Sequence, residues 1–142
     1  MLKRFTFTLF LLLFACSESS EEQTRNSEAK SEKNRISAFL LIEKEEGIYY
    51  YHNEKFNGVA YTEHKNGNLW SEAYIAEGII DSTKSFNEDG TLWYENKYIN
   101  GVLHMTLDYH ENGKLAHEES FEGNKIISKK CFDENGIEIK CN

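Results

Sequence analysis

Between Ile48 and Cys141, runs of seven to nine residues rich in aromatic and aliphatic side chains alternate with short polar clusters that carry Asn, Asp and Gly. The densest example is the stretch from Leu92 to Gly113, in which two pairs, Asn100-Gly101 and Asn112-Gly113, bracket the apolar runs. Asn-Gly between such runs is the strongest short-range hairpin signal. A two-residue type I′ turn needs positive φ twice, which Asn tolerates and Gly adopts freely, so both pairs are expected to close hairpins of that type. The pattern predicts strands at 48–55, 59–65, 68–76, 79–87, 91–99, 102–110, 114–122, 125–132 and 137–141, each antiparallel to the next. No helix-length apolar period covers them. Proline is absent, which leaves every backbone N–H available to the ladder. At about 4.8 Å per strand, such a sheet is about 38 Å wide.

The pattern also repeats. Gly67, Gly90, Gly113 and Gly136 fall twenty-three residues apart, each after Asn or Asp. Leu69, Leu92 and Leu115 keep the same register, as do Trp70 and Trp93, Glu72, Glu95 and Glu118, and Phe86, Tyr109 and Phe132. A second set of turns, Asn57-Gly58, Glu77-Gly78, Asn100-Gly101 and Gly123-Asn124, lies about midway. A period between twenty and fifty residues marks an array stacked unit on unit. The fold class that follows is all-β: an antiparallel meander of about four 23-residue hairpin repeats, forming an elongated single-layer twisted sheet. Strict alternation places Leu92, Tyr94 and Tyr98 on one face of their strand and Trp93 and Ile99 on the other. Aromatic rings on both faces suit a single layer that stacked rings must stabilise.

Ahead of the repeats the chain changes character. Lys3 and Arg4 precede ten uncharged residues, Phe5 to Phe14, and then Ala15 and Cys16. This is the length of a signal h-region and well short of a spanning helix. Leu13-Phe14-Ala15-Cys16 resembles a bacterial lipobox, with bulky Phe14 a departure from it; a plain secretory signal cut near Ala15 is the other reading. Residues 1–15 are thus expected to be a lipoprotein signal peptide. Residues 16–35 are expected to be the lipidated Cys16 and a disordered, acidic and polar tether, because nothing there can bury a core. No Asp follows the cysteine, which by resemblance to lipoprotein sorting implies the outer membrane, on its periplasmic or its surface side. Residues 36–49, with the apolar run Ile36 to Ile42, are expected to be a buried capping strand or short helix, since terminal units of an array must shield an open edge. Residues 50–142 are then the repeat domain.

The run Tyr109-His110-Glu111-Asn112-Gly113-Lys114-Leu115, with Glu118 and Phe121, resembles the bacterial MORN-repeat variant. The resemblance covers roughly residues 50 to 139. It implies a protein-interaction or scaffolding module within an antitoxin-like group, and it carries over no catalytic residues. Two units depart from it: the first is shorter between its turns, and the last has Glu138 and Ile139 where Leu and Trp are expected.

Charge narrows the partners. The chain has 16 basic and 24 acidic residues, a net formal charge of −8, and loss of Lys3 and Arg4 with the leader leaves −10. An acidic surface repels phosphate, so nucleic acid is not expected as a partner, and membrane attachment is expected through acyl chains on Cys16. Cys131 and Cys141 flank the Asn135-Gly136 turn. In a hairpin with an odd-numbered loop they face each other and an envelope compartment permits a disulfide; a strict two-residue turn places Cys131 opposite Lys140 instead.

Chemistry-bearing patterns are thin. His52, His64, His104, His110 and His117 have no helix-spaced partner. His110 and His117, with Glu111 and Glu118, flank one turn, but solvated turn residues explain them better than a metal site. No nucleophile elbow or phosphate loop occurs. No enzyme activity, cofactor or metal is therefore expected, and the Glu72, Glu95 and Glu118 column reads as structural.

The expected function is an envelope-anchored lipoprotein that binds or scaffolds an unidentified protein through its sheet. One face offers about 1,000 Å² by strand length and spacing, against ~800 Å² per partner in a standard interface. Trp70, Trp93, Tyr94, Tyr98 and Tyr109 are the candidate partner-binding residues, because aromatics dominate interface hot spots. Two alternatives stay open: an immunity or antitoxin-like protein that neutralises a toxin, and a surface protein that stacks a glycan on Trp70 and Trp93.

Overall fold

The computed structural model describes residues 34–141. The leader, Cys16 and the tether as far as residue 33 lie outside the described residues.

Among the described residues, twelve strands form two sheets. In chain order they are β1 (Arg35–Ser37), β2 (Ile42–Glu45), β3 (Ile48–Tyr51), β4 (Glu54–Lys55), β5 (Gly58–Glu63), β6 (Leu69–Ala76), β7 (Ile79–Phe86), β8 (Leu92–Ile99), β9 (Val102–Tyr109), β10 (Leu115–Glu122), β11 (Lys125–Phe132) and β12 (Glu138–Ile139). The large sheet has the order β1-β5-β6-β7-β8-β9-β10-β11-β12, and the small one the order β2-β3-β4. From β5 to β12 every neighbour is antiparallel and joined by a hairpin, so the fold is the all-β meander that the repeat predicts.

The first strand of the large sheet differs from expectation. β1 pairs parallel with β5, and residues 48–55, expected as a strand of the array, instead fold back as the tight β3–β4 hairpin of the small sheet. His52 and Asn53 close that hairpin, both at positive φ, with no glycine to announce the turn. Arg35, placed by composition in the tether, opens β1.

The turns fall into two kinds. Asn100-Gly101 and Glu77-Gly78 have positive φ at both residues, as a type I′ turn demands. Gly67, Gly90, Gly113 and Gly136 behave differently, because only the glycine is left-handed. Each of these glycine N–H groups donates to the carbonyl three residues back, and five residues separate the paired strand ends. The type I′ expectation therefore fails for Asn112-Gly113. The Asn or Asp before glycine serves another purpose in three of these turns: the side chains of Asn66, Asp89 and Asn112 accept the N–H two residues on.

Every pair of neighbouring strands from β5 to β11 also contains a β-bulge. Glu63 pairs with Leu69 while Thr62 pairs with Ser71, which leaves Trp70 as the extra residue; Trp93 and Ala116 are extra in the same way in β8 and β10. At the opposite ends of β7, β9 and β11, Asp81, His104 and Ile127 are the extra residues. Both series step by twenty-three. Bulges bend a strand and increase its twist, so the array is bent at regular intervals. They also explain the imperfect alternation: Leu92 pairs with Phe86 and is displaced from the Tyr94 and Tyr98 set, correcting the face assigned to it from period two.

Directly paired residues share a face. The first face carries the row Tyr61, Glu72, Lys84, Glu95, Leu107, Glu118 and Lys130, and the second carries Ala60, Ala73, Thr83, Asn96, Thr106, Glu119 and Lys129. The core sits on the second face at its N-terminal end, where Phe56, Ala60 and Ile75 are buried together under Ile36, Ala38, Leu41, Tyr49 and Tyr51. Ala38 and Leu41 reach it together because a 3₁₀ turn over Ala38–Leu40 eclipses side chains three apart. The same turn directs Phe39 and Leu40 outward, so the run Ile36 to Ile42 is a lid only in part; Phe39 is 88% exposed.

Candidate binding surface

The five aromatic residues selected from the sequence do not form one patch. Tyr94 and Tyr98 lie on the second face, in line with Asn96, whereas Tyr109 lies on the first face, where its hydroxyl donates to Glu95 at 3.1 Å. Trp70 and Trp93 occupy equivalent bulges near the long turns. They are 52% and 45% exposed. Successive equivalent strands stand two spacings apart, so the two indoles repeat at about 10 Å. The His64 ring lies 6.0 Å from Trp70, and the Tyr94 ring 5.6 Å from Trp93.

The acidic column is occupied internally. Arg35 donates to the Glu72 carboxylate, which also accepts from the Tyr74 hydroxyl at 3.0 Å. Lys84 stands 5.3 Å over the Tyr74 ring, and Lys130 donates to Glu118 at 2.7 Å. Burial, reinforced by the hydrogen bond to Glu72, pushes the Tyr74 phenol up to about 12. Burial, with the Glu95 charge and hydrogen bond behind it, does the same to Tyr109, also to about 12. Across this face the carboxylates thus tie neighbouring strands together and add to the burial that raises the phenols.

Of the two histidines considered for a metal, His110 is similarly engaged, whereas His117 is exposed. The Phe132 carbonyl can only accept, so His110 Nε2–H donates to it, at 2.9 Å. His64 makes the same bond to Phe86, also at 2.9 Å. Asn66 and Asn112 donate to the carbonyls of Glu88 and Glu134. The long turns are therefore stitched in pairs, first to second and third to fourth. In the second turn Asn87 replaces histidine and donates to Thr91 within its own loop. These bonds link residues twenty-two apart, and the 23-residue spacing of the turns is the signal that could have found them.

The last hairpin carries a disulfide between Cys131 and Cys141, with Cα atoms 5.4 Å apart. The five-residue loop sets Cys131 opposite Ile139, so Cys141 is its diagonal neighbour on the same face rather than its direct opposite.

No protein-family model matches the chain, and no curated protein sequence does. Among solved structures it is similar to parts of larger proteins. The assembly of accessory secretory proteins 1, 2 and 3 of Streptococcus pneumoniae matches with a TM-score of 0.44 and 18% identity, over 67% of this chain and 19% of the other. A point mutant of S. aureus TarM, in complex with fondaparinux, alpha-GlcNAc-glycerol and UDP, matches with a TM-score of 0.42 and 11% identity, over 84% of this chain and 21% of the other. The GtfA/B complex bound to UDP and GlcNAc matches with a TM-score of 0.36 and 11% identity, over 71% and 24%. The chain thus spans about a fifth to a quarter of the length of these structures.

Proposed function

We propose that this chain is a bacterial lipoprotein of the MORN-repeat variant kind, held at the outer membrane by acyl chains on Cys16, whose sheet docks a protein partner. The observation that carries the docking role is the pair Trp70 and Trp93. A bulge sets each indole in the same position of successive hairpins, and both stay about half exposed although each could bury well over 100 Å². Large aromatic side chains repeated on a rigid sheet suit the centre of an interface, where Trp is the most enriched hot-spot residue. The acidic balance selects a partner without a polyanionic surface.

Crosslinking in living cells followed by affinity purification and mass spectrometry tests this reading. The native chain is expected to recover one protein in near-stoichiometric amount. Cys16→Ser is expected to lose membrane fractionation, and the Trp70→Ala, Trp93→Ala double variant to lose the partner while keeping its β-rich circular dichroism. A well-folded native bait that recovers nothing specific overturns the proposal. The identity of the recovered protein separates a scaffold from an immunity role.

A further inference from the structure

The cap turns three large apolar side chains away from the protein. In the 3₁₀ turn over Ala38–Leu40, Ala38 and Leu41 share the side that packs on Phe56, Ala60 and Ile75, which leaves Phe39 and Leu40 outside it. Leu41 then has extended backbone, so Leu40 and Ile42 lie on the side opposite to it. Phe39 is 88% exposed, Leu40 53% and Ile42 60%. Polar atoms rim the group. Tyr50 stands directly opposite Ile42 in the β2–β3 hairpin, its hydroxyl donates to Glu45 at 3.0 Å, and Lys44 Nζ lies 5.0 Å over its ring. An apolar centre with a phenol and a long cationic side chain at its margin is the composition of a surface that sits at a bilayer interface.

Size and position choose the occupant. The three side chains offer at most about 400 Å², half the ~800 Å² per partner of a standard protein interface. They are too few to hold a protein by themselves. A membrane already reached through another anchor asks for much less, because the second contact is then intramolecular and a weak signal suffices. Phe39 comes five residues after Asn34, the first described residue, and Asn34 comes eighteen residues after Cys16. Eighteen residues span at most about 65 Å even when fully extended. The cap is thus the first folded element that a chain anchored at Cys16 brings to the lipid. At the other end of the sheet, β11 stands seven strand spacings from β1, about 34 Å along the sheet.

We propose that, on a chain anchored by Cys16 as the lipoprotein reading has it, Phe39, Leu40 and Ile42 insert at the headgroup and acyl boundary of a bilayer. They fix the N-terminal end of the sheet against the membrane. Three exposed carboxylates close by, Glu43, Glu45 and Glu46, suit headgroups of no net charge. The contact lies outside the 23-residue repeats and uses neither Trp70 nor Trp93.

The test uses residues 16–142, which include every described residue, joined through the Cys16 thiol to a maleimide lipid in phosphatidylcholine vesicles. Cys131 and Cys141 are held in their disulfide. In a Trp70→Phe, Trp93→Phe background, Phe39→Trp supplies one indole at the cap, and Ile127→Trp supplies one on β11 at the far end of the sheet. Bromine on the acyl chains is expected to quench the first at least twofold, with its emission shifted to the blue, and to leave the second unchanged. Adding Leu40→Ser and Ile42→Ser is expected to cut the quenching by at least half while the β-rich circular dichroism is kept. Equal quenching at both positions, or none at position 39 in a folded chain, overturns the proposal. So does a blue shift at that position that appears without vesicles and grows with protein concentration, which marks a second copy as the occupant. Mass spectrometry of the native chain purified from cells reads acylation of Cys16 separately. Its absence sinks the lipoprotein anchor, whereas the vesicle result speaks for the cap alone.

Discussion

The guanidinium of Arg35 donates to the carboxylate of Glu72, thirty-seven residues away, and so ties the first strand of the sheet to its third. Glu72 is nearly buried, whereas the Arg35 side chain is 40% exposed. Removing the arginine leaves the carboxylate with the Tyr74 hydroxyl as its remaining side-chain partner. Arg35→Ala is therefore expected to destabilise the chain by about 1–2 kcal/mol, a charged hydrogen bond discounted for the exposed partner. Urea unfolding of Arg35→Ala, Glu72→Gln and the double variant measures this. The two changes are expected to be non-additive, and additive losses would show that the pair is not coupled.

Gly78 sits where the short β6–β7 turn meets the cap. Its N–H donates to the Phe56 carbonyl and its carbonyl accepts from Tyr49, both at 2.8 Å. A Cβ there would lie 2.8 Å from Ile48 Cγ2 and 2.9 Å from the Tyr49 carbonyl oxygen, whereas a Cβ at Gly90 meets nothing within 4 Å. Both glycines have positive φ. Gly90→Ala is expected to show the backbone strain alone, about 1–2 kcal/mol. Gly78→Ala adds an overpacking cost of about 1–3 kcal/mol, and faster hydrogen exchange confined to the cap would identify its source.

Alkaline stability follows from the phenols. The ordinary tyrosine value is 10.0, and Tyr74 and Tyr109 titrate near 12 in the folded chain. The unfolded chain loses these protons first, so their contribution is fully present below pH 10 and is lost as pH rises towards 12. A Tyr74→Phe, Tyr109→Phe variant is expected to show a shallower fall in denaturation midpoint across that window. In native-state ultraviolet titration it is also expected to lack the late phenolate component.

Reducing the Cys131–Cys141 bond opens a loop with a sequence separation of 10. The chain-entropy estimate for such a loop is about 3 kcal/mol. Because an array couples each unit chiefly to its neighbours, the loss is expected to appear as fraying of β11 and β12. Hydrogen exchange of a Cys131→Ser, Cys141→Ser variant checks this, with protection at the β5–β6 end expected to be retained.

The lateral stitching of the long turns gives a smaller effect. His110→Ala removes the donor to the Phe132 carbonyl and is expected to cost about 1 kcal/mol. At the equivalent second turn, Asn87 makes no bond to the following turn's backbone, so Asn87→Ala is expected to leave the relative protection of the second and third turns unchanged.

Residue patterning alone is enough to define the array. Gly67, Gly90, Gly113 and Gly136 report local backbone geometry that few other residues adopt, and the aromatic runs between them report strands, so period and class were legible without any distant contact. The loop parity that brings Cys131 and Cys141 to one face was open at that level, and the five-residue turn decided it. Other features depend on contacts between distant strands. Trp70 and Trp93 share a column in the sequence, but their place in bulges depends on registers set jointly with both neighbouring strands. β1 enters parallel because Arg35 finds Glu72 and Ile36 finds the core, contacts that no local pattern encodes. Leu92 leaves the face of Tyr94 and Tyr98 because a bulge resets which side chains share a face. A period of two read along one strand cannot register that shift, since it arises between strands.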